Sequence, residues 1–363
     1  MFWFKGFVLT YILFLLFLAI FYGIQNYRSQ IKNKPKKNLI RINKLTVIIP
    51  FRNEYANLKR MLLQITELTE TPFKFLFVND HSEDHSLNLF NGLDHEKIEV
   101  ISIDNLHAGK KWAIYKGVSH ATTENILCWD ADVLFSNTYF QRLSQCETAD
   151  LIILPVYFKS SNLFQSFGEI DVYLANYTNR ISTFLFRPIL CSGANLFFRK
   201  DSYLQVIDIK NHAHISSGDD AFLLRNMQKS GKRITLAQEQ TCAVHTASPA
   251  SLITFIKQRS RWLGKAFQLD DWHLNAWAIL QSSFTIGFLL LFLFFIINSP
   301  ALFVIVWTIK SVSEIIFLAP YFIRIKRIKS LSLLPVYGLI FPFYNIVLML
   351  TLFMNNEWKG RPI

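Results

Sequence analysis

Two carboxylates separated by one residue, Asp130 and Asp132, follow a short apolar segment near the middle of the chain, in NILCWDADVLF. Ile126, Leu127 and Cys128 predict a buried strand that ends at this pair. In an open α/β sheet the carboxyl ends of the strands open onto the crevice where ligands bind, and hard oxygen ligands there suit Mg²⁺ or Mn²⁺ carrying a phosphate. An Asp-rich turn that caps the next segment would give the same pattern.

A second acidic pair, Asp219 and Asp220, follows Gly218 in SSGDDAFLL and precedes the apolar residues of a predicted helix. Carboxylates at a helix N-terminus are ordinary caps, which accounts for one member of the pair. The other member is left to face a cleft.

Two lysines, Lys110 and Lys111, follow Gly109 at another predicted helix start, where backbone N–H groups and a cation could both meet a phosphate. A pair of solvated surface lysines is the alternative. The sequence has no G-x-G-x-x-G after its first strand and no G-x-x-x-x-G-K-[ST], which excludes a dinucleotide fingerprint and a P-loop. A nucleotide would therefore have to be bound in another way.

Strands and helices alternate from Leu45 onwards, as expected for βαβ units with a parallel sheet. Predicted strands cover 45–49, 73–78, 98–103 and the run that ends at Asp130, and predicted helices cover 54–68, 86–90 and 107–120. Pro50 is expected to end the first strand. Because parallel strands end at the same edge of a sheet, Asn53, Asp80 and Asp130 are expected to converge there.

Three later segments are less regular. Apolar residues in 162–187 recur at helical spacing but include charges, so this helix either packs on the sheet or lies in a membrane interface. Residues 189–198 resemble a strand interrupted at Gly193, where the backbone could approach a ligand or form a bulge. Residues 256–263 carry Gln258, Arg259, Arg261 and Trp262, and a cationic amphipathic surface helix would explain Arg259 better than Gln258.

The composition indicates a membrane protein. In a chain of 363 residues, 51% are hydrophobic and the mean hydropathy is +0.24, too apolar for a purely soluble protein. The formal net charge of +12 lies largely beside apolar segments, where it reports orientation rather than nucleic-acid binding.

Four spans are predicted from charge-free apolar segments. Residues 6–27 are long enough to cross a hydrocarbon core of roughly 30 Å, with a signal peptide as the alternative. Residues 274–309, interrupted at 298–300, form most of a two-span hairpin, and residues 331–354 form the last span. Basic segments at 28–44 and 324–329 place the central region in the cytoplasm and both termini outside.

Lys310 and Glu314 fall inside the third span, four residues apart on one helical face. Each alone would cost roughly 2.5–3.5 kcal/mol at the bilayer centre. They are therefore predicted to pair and to face protein or a polar cavity.

Taken in order, the motifs resemble those of the membrane-bound inverting glycosyltransferases of family 2. The resemblance extends from about Thr46 to Lys265 and includes V-I-I-P-F-R-N-E, V-N-D-H-S-E-D, G-K-K-W-A-I, W-D-A-D, S-G-D-D and Q-R-S-R-W. The branch with a Q-x-x-R-W motif contains chitin, hyaluronan, cellulose and poly-N-acetylglucosamine synthases and the ceramide and carotenoid-acid glucosyltransferases. It implies an α/β fold, a GT-A type nucleotide-sugar-binding domain with a mostly parallel sheet, plus one N-terminal and three C-terminal transmembrane helices.

The resemblance also implies roles for residues that would bind the donor. Asp80, with Asn53 and Glu54, would hold the uracil and ribose of a UDP-sugar, and Lys110 would lie close to the nucleotide. Asp130 would touch the nucleotide or sugar, and Asp132 would bind Mg²⁺ or Mn²⁺ bridging the diphosphate. Further contacts to the nucleotide sugar and a wall for the acceptor would come from Gln258, Arg261 and Trp262.

On the acceptor side, Asp220 would be the general base that takes a proton from the attacking hydroxyl. Ser192, Gly193, Asn195 and Asp219 would line the acceptor site. The sequence departs from the family at Asn79-Asp80-His81-Ser82, where D-D-G-S is usual, and at Asp219-Asp220, where Glu-Asp is usual. The first departure puts the turn geometry in doubt, and the second bears on which carboxylate is the base.

The resulting hypothesis is a multi-pass enzyme of the cell membrane with a cytoplasmic catalytic domain and a lipid, lipid-linked or growing polysaccharide acceptor. The predicted domains are an N-terminal span at 1–27, a basic tether at 28–44, the catalytic domain at 45–270, three spans at 271–355 and a tail at 356–363. The alternative is a four-span transporter or receptor with a non-catalytic cytosolic α/β domain, in which Lys310 and Glu314 would be central.

Overall fold

The structure is a computed structural model that describes residues 2–31, 38–208, 218–269, 271–351, 357–358 and 361–362. The chain divides into two compact units, each built from separate stretches of sequence. The sheet unit comprises 35–160, 190–248 and 357–363, and the helical unit comprises 1–34, 161–189 and 249–356. Residues 32–37 of the predicted tether and residues 356, 359–360 and 363 of the predicted tail lie outside the described residues.

The sheet unit contains a seven-stranded sheet of order β3-β2-β1-β4-β7-β5-β8. All neighbours are parallel except β7, which runs antiparallel to β4 and β5. This confirms the predicted mostly parallel sheet. The strands are β1 (Leu45–Phe51), β2 (Lys74–Asn79), β3 (Ile98–Ser102), β4 (Asn125–Trp129), β5 (Leu151–Ile153), β7 (Asn195–Arg199) and β8 (Ile234–Leu236).

The described part of the sheet unit has five helices, and two further strands, β6 (Val156–Lys159) and β9 (Val244–Ala247), pair in parallel beside the main sheet. The helices are α2 (Tyr55–Thr66), α3 (Lys110–His120), α4 (Tyr139–Leu143), α6 (Lys200–Val206) and α7 (Asp219–Lys229). The segment predicted as a helix at 86–90 is a single 3₁₀ turn, Leu87–Phe90. A short antiparallel pair, β10 (Glu357–Trp358) and β11 (Arg361–Pro362), lies near the C-terminus.

Alternation along β1 sends its side chains into two cores. Val47 and Ile49 pack in the cluster that contains α2, and Ile48 packs in the cluster that contains α3 and α7. α3 approaches β1 closely at Gly117, where an added Cβ would lie 2.8 Å from the Cγ2 atom of Ile48. The period of two therefore fixes which helix covers each face.

Pro50 does not end the first strand, contrary to the sequence-based expectation. β1 continues to Phe51, and Pro50 stays in register with Val78 of β2. The pairing between β1 and β4 ends at Ile48. Alternate residues of β1 direct their backbone N–H groups towards β4, and the next one after Ile48 is Pro50, beyond the end of this pairing. The missing N–H of proline therefore breaks no ladder hydrogen bond.

Six helices make up the part of the helical unit that the structure describes. They are α1 (Phe2–Ile31), α5 (Leu163–Leu185), α8 (Leu252–Gln268), α9 (Trp272–Asn298), α10 (Pro300–Arg324) and α11 (Leu334–Thr351). Among the residues that the structure describes, four stretches are long and apolar enough to cross a membrane: Phe4–Arg28, Trp272–Asn298, Pro300–Arg324 and Ile328–Thr351. These match the four predicted spans, and only Ser299 separates α9 from α10.

The charged pair inside α10 is closed by neighbouring helices. Lys310 Nζ lies 2.6 Å from Glu314 Oε1, which confirms the predicted pairing, and the Tyr11 hydroxyl donates to the same oxygen at 2.5 Å. α11 contributes Gly338, where an added Cβ would lie 2.6 Å from Lys310 Nζ. The pair therefore faces protein rather than lipid.

α5 packs inside the helical unit. Its Tyr177 ring lies 5.3 Å from Tyr22 of α1, and Tyr173 lies 5.8 Å from Phe322 of α10. Two of its charged residues, Glu169 and Arg180, are buried. The apolar stripe seen in the sequence is thus covered by helices that are themselves predicted spans.

Candidate functional site

Hydrogen bonds join the loop that follows β1 to the loop that follows β2. Asn53 adopts a left-handed backbone conformation, with φ of 54°, and its Oδ1 accepts hydrogen bonds from the N–H groups of Glu83 at 2.8 Å and Asp84 at 3.4 Å. The Asn53 N–H donates to Ser82 Oγ at 3.1 Å. Asparagine tolerates this conformation better than most residues. Asn53 therefore shapes the loop that follows Asp80.

Asp80 itself is buried at the end of β2. Its N–H donates to the Phe51 carbonyl at 2.9 Å, and its Oδ1 accepts from the Gly109 N–H at 2.9 Å. Gly109 has φ of 106°, a conformation that favours glycine. The carboxylate thus links β2 to the start of α3, where Lys110 begins the helix. The sequence alone did not single out Gly109 as a partner of Asp80.

Lys110 joins the two acidic pairs. Its Nζ lies 2.5 Å from Asp130 Oδ1 and 3.8 Å from Asp219 Oδ2. Burial alone would lower the pKa of Lys110, but the surrounding carboxylates, chiefly Asp130 and Asp219, hold that pKa well above its usual value. The ammonium group therefore stays charged and holds together residues that lie 89 positions apart in the chain.

Asp132, the second carboxylate of the first pair, has more negative than positive charge around it. Its pKa is raised to about 6, mainly by burial and then by repulsion from Asp130 and Glu54, while Lys110 acts in the opposite direction. Glu54 accepts a hydrogen bond from Asn57 at 2.6 Å at the start of α2. Three carboxylates thus gather at the ends of β1 and β4, an arrangement that a divalent cation would stabilise.

The donor set fits a cation held jointly with a substrate. Among the residues that the structure describes, no group of three or more His, Cys, Asp or Glu side chains is arranged to hold a metal ion by itself. Mg²⁺ commonly keeps waters and binds one or two carboxylates together with substrate phosphates. Asp132, with Asp130 beside it, suits that mode better than a site made entirely of protein ligands.

Asp220 is held at the start of α7 by backbone donors. Its Oδ2 accepts from the Gly193 N–H at 2.9 Å, and its Oδ1 accepts from the N–H of Ala221 at 2.8 Å. An added Cβ on Gly193 would lie 3.1 Å from Asp219 Oδ2 and 3.1 Å from Lys110 Nζ. The glycine predicted from the sequence therefore allows a close approach to both carboxylates and to the lysine.

Ser192 and Asn195 frame the same turn but differ in access. Ser192 is partly exposed, and its carbonyl accepts the Asn195 N–H at 3.1 Å. Asn195 is completely buried: its Oδ1 accepts from Trp129 Nε1 and the Tyr139 hydroxyl, and its amide group donates to two backbone carbonyls. The structure therefore supports a positioning role for Asn195 in place of the predicted direct contact with an acceptor.

A small cleft adjoins the second acidic pair. Its walls come from α3, β7, α6 and α7 and are mainly apolar, with Asp219, Asp220 and Gly193 at one side. Its apolar walls include Ile114, Leu196, Phe198, Tyr203, Phe222 and Leu223. The site thus has an apolar space next to its carboxylates.

Three predicted site residues, Gln258, Arg261 and Trp262, lie on α8 of the helical unit. Trp262 is 41% exposed, and Gln258 Oε1 accepts a hydrogen bond from its neighbour Arg259 at 2.7 Å. Arg259 is only 5% exposed, so it does not sit on a solvent- or lipid-facing surface of the helix as the amphipathic interpretation expected.

Part of the chain matches a known protein family. The family model described as "Glycosyl transferase family 2" matches residues 46–204, slightly less than half of the chain. The matched range includes both lysines, Asp80 and the first acidic pair, and it ends before Asp219.

One sequence relative and one solved structure extend the comparison. The 4,4'-diaponeurosporenoate glycosyltransferase of Staphylococcus aureus strain N315 is 34% identical over 113 residues, which cover 31% of this chain and 29% of the relative's length. The mannosyltransferase PcManGT from Pyrobaculum calidifontis, in complex with GDP-Man and Mn²⁺, matches 97% of this chain and 99% of its own with a TM-score of 0.56. At 15% identity this second likeness is one of fold. With the sheet order described above, the matches show a GT-A-like α/β fold, and residues 46–204 match the glycosyltransferase family 2 model.

Proposed function

We propose that this protein is a membrane glycosyltransferase that moves a sugar from a UDP-sugar, with inversion, to a lipid, lipid-linked or growing polysaccharide acceptor. The observation that carries the proposal is the link made by Lys110 between Asp130 after β4 and Asp219 at the start of α7. It brings one carboxylate from each acidic pair to a single, partly buried ammonium group. The match to a glycosyltransferase family 2 model supplies the reaction class.

Donor binding is assigned to the edge formed by the ends of β1, β2 and β4. Asp80 and the loop shaped by Asn53 would hold the nucleoside, with Glu54 close by and Lys110 near the phosphates. A divalent cation at Asp132, with Asp130 beside it, would neutralise the negative charge that grows on the departing diphosphate. Gln258, Arg261 and Trp262 would add contacts to the nucleotide sugar and the acceptor.

Asp220 is proposed as the general base. In a single in-line step the acceptor oxygen bonds to the anomeric carbon while the bond from that carbon to the diphosphate oxygen breaks. The hydroxyl proton passes to Asp220, and the electron pair leaves with UDP. The Gly193 N–H, bonded to Asp220 Oδ2, would keep the carboxylate oriented for this transfer. Asp219 and Ser192 would line the acceptor side.

An apolar acceptor is favoured by the cleft beside Asp220 and by the sequence relative. The cleft walls are mostly apolar, and the relative is named for transfer to diaponeurosporenoate, a carotenoid acid. The four apolar helices fit an enzyme whose acceptor lies in a bilayer. We place the protein in the cell membrane with the sheet unit in the cytoplasm, as the basic flanking segments predict.

The test is release of UDP by the full-length protein in detergent or nanodiscs, supplied in turn with common UDP-sugars, with Mn²⁺ or Mg²⁺ and with membrane lipids as acceptors. One donor should support turnover, and Asp220→Asn should lower kcat by about 10²–10⁴-fold, the usual contribution of a general base. Asp94→Asn, which alters an exposed carboxylate of the same unit, should retain activity. Absence of turnover with every donor, or full activity in Asp220→Asn, would refute the proposal.

A further inference from the structure

Arg259 lies within the Q-R-S-R-W segment, between two residues proposed to contact substrate, yet it points into the helical unit. Its guanidinium is engaged on three sides: Nε lies 3.0 Å from Asp171 Oδ2, Nη2 donates to the Gly168 carbonyl at 3.2 Å, and Nη1 donates to Gln258 Oε1 at 2.7 Å. Because the guanidinium is planar and its donors have fixed directions, it sets the direction as well as the distance of each of these three contacts. Arg259 therefore joins α8 to α5 and orients the Gln258 amide.

Two aromatic rings of α8 pack on the same guanidinium. Its central carbon lies 4.6 Å from the centre of the Phe255 ring and 4.3 Å from that of Trp262. Such contacts are worth about 0.5–2 kcal/mol, more where they are shielded from water. The buried arginine thus holds Gln258 through a hydrogen bond and Trp262 through its ring.

Asp171 completes the arrangement from α5. Besides Arg259, it accepts hydrogen bonds from the hydroxyl of Tyr337 and, at 3.2 Å, from that of Tyr344, both on α11. One carboxylate therefore connects three helices, α5, α8 and α11. Since an unpaired buried charge is costly, removing any partner should displace the others.

We infer that Asp171 and Arg259, together with Tyr337 and Tyr344, are positioning residues for substrate binding: they fix the orientation of α8, and through it that of Gln258 and Trp262. This inference rests on the proposed function, and it assigns a role to four residues that contact no substrate. The competing explanation is that the cluster only stabilises the packing of the helices.

The two explanations predict different kinetics. If the cluster positions α8, loosening it should raise KM for the UDP-sugar while the Mn²⁺ concentration for half-maximal activity stays constant, because Asp130 and Asp132 belong to the other unit. If it only stabilises the fold, the melting temperature should fall and the properly folded fraction should keep its wild-type KM. Comparing KM for donor with the metal requirement therefore separates the roles.

The first experiment uses the double variant Tyr337→Phe/Tyr344→Phe, which removes both hydroxyls that Asp171 accepts and keeps both rings. Its matched control is Tyr177→Phe, a buried tyrosine of the same unit whose hydroxyl has no hydrogen-bond partner among the described residues. We expect KM for the best UDP-sugar to rise about fivefold to tenfold in the double variant, as the loss of two hydrogen bonds implies, and to stay unchanged in the control. Equal KM values in the two would overturn the inference.

The second experiment compares Arg259→Lys with Arg259→Ala. Lysine keeps the charge near Asp171 but cannot reach Gly168 and Gln258 as a fork does, so it should restore protein yield more fully than donor KM. Complete restoration of KM by lysine would show that the charge alone suffices and would overturn the assigned orienting role. A wild-type protein that releases no UDP from any donor would remove the proposed function and the inference with it, whereas an active wild type with insensitive variants would remove the inference alone.

Discussion

The two charge clusters of this molecule are built on opposite principles. Around Lys110 in the sheet unit, the carboxylates of Asp130 and Asp219 share one ammonium group, and the pKa of nearby Asp132 is raised to about 6 by burial and then by repulsion from Asp130 and Glu54. Around Asp171 in the helical unit, one carboxylate meets one guanidinium and two hydroxyl donors. The first cluster has an excess of negative charge, and the second is balanced.

Access to solvent follows the same division. The Asp130 and Asp219 side chains remain 36% and 15% exposed, whereas Arg259 and Asp171 are 5% and 12% exposed. An open, under-neutralised cluster gains free energy from a cation or a substrate that supplies missing charge, and a closed, balanced one gains nothing. Binding and positioning clusters therefore differ in charge balance as well as in location.

The largest expected effect comes from breaking the open cluster at Asp132. Asp132→Asn removes a charged ligand while keeping the size of the side chain, and it should raise the Mn²⁺ concentration for half-maximal UDP release by about 10–100-fold. Treatment with EDTA should abolish turnover in the wild type, and added Mn²⁺ should restore it. Titration of activity with Mn²⁺ in both proteins measures the change. An unaltered metal requirement in Asp132→Asn would show that the negative charge near β4 serves another purpose.

A smaller loss is expected when the cation that joins the pairs is removed. Lys110→Gln leaves Asp130 and Asp219 facing each other without the ammonium group, so kcat/KM for the donor should fall about tenfold through repulsion and lost phosphate contact. Lys116→Gln, also on α3, is the matched control. Steady-state kinetics with the best UDP-sugar provide the measurement, and a Lys110→Gln enzyme with wild-type kcat/KM would contradict the view that this lysine organises the site.

Most of the sheet unit could be predicted because its signals are local. The β-branched residues of β1 and the apolar residues of β4 each predict a buried strand. Because parallel strands end at the same edge of a sheet, Asp80 and Asp130 are then expected at one edge. The resemblance of ordered motifs then predicted which of these residues would gather. At Gly193 the sequence left open a close approach to a ligand or a bulge, and the structure shows that the missing side chain leaves room for Asp219 and Lys110.

What could not be predicted depends on partners distant in sequence. Arg259 looked like a surface cation because its partner Asp171 lies 88 residues earlier, in a helix whose charges gave no indication of what they would meet. Asn195 was predicted to contact an acceptor, but its side-chain oxygen accepts hydrogen bonds from Trp129 of β4 and Tyr139 of α4. The division into units was hidden for the same reason, since residues 161–189 interrupt the sheet unit and pack with helices from both ends of the chain.

The smallest effect on turnover is expected from the pair inside the predicted spans. Tyr11→Phe removes one donor to Glu314 Oε1 but leaves Lys310 in place, so it should lower stability by about 1 kcal/mol, which for a unit of this size corresponds to roughly 2–4 °C in melting temperature. Glu314→Gln should cost more, about 3–5 kcal/mol, because Lys310 would be buried without its counter-ion.

Donor KM of the folded fraction should match the wild type in both variants, since this cluster contacts none of the residues assigned to the substrate. Thermal melting in detergent, paired with donor kinetics, tests this. A rise in KM without a fall in melting temperature would mean that this closed cluster also positions the site.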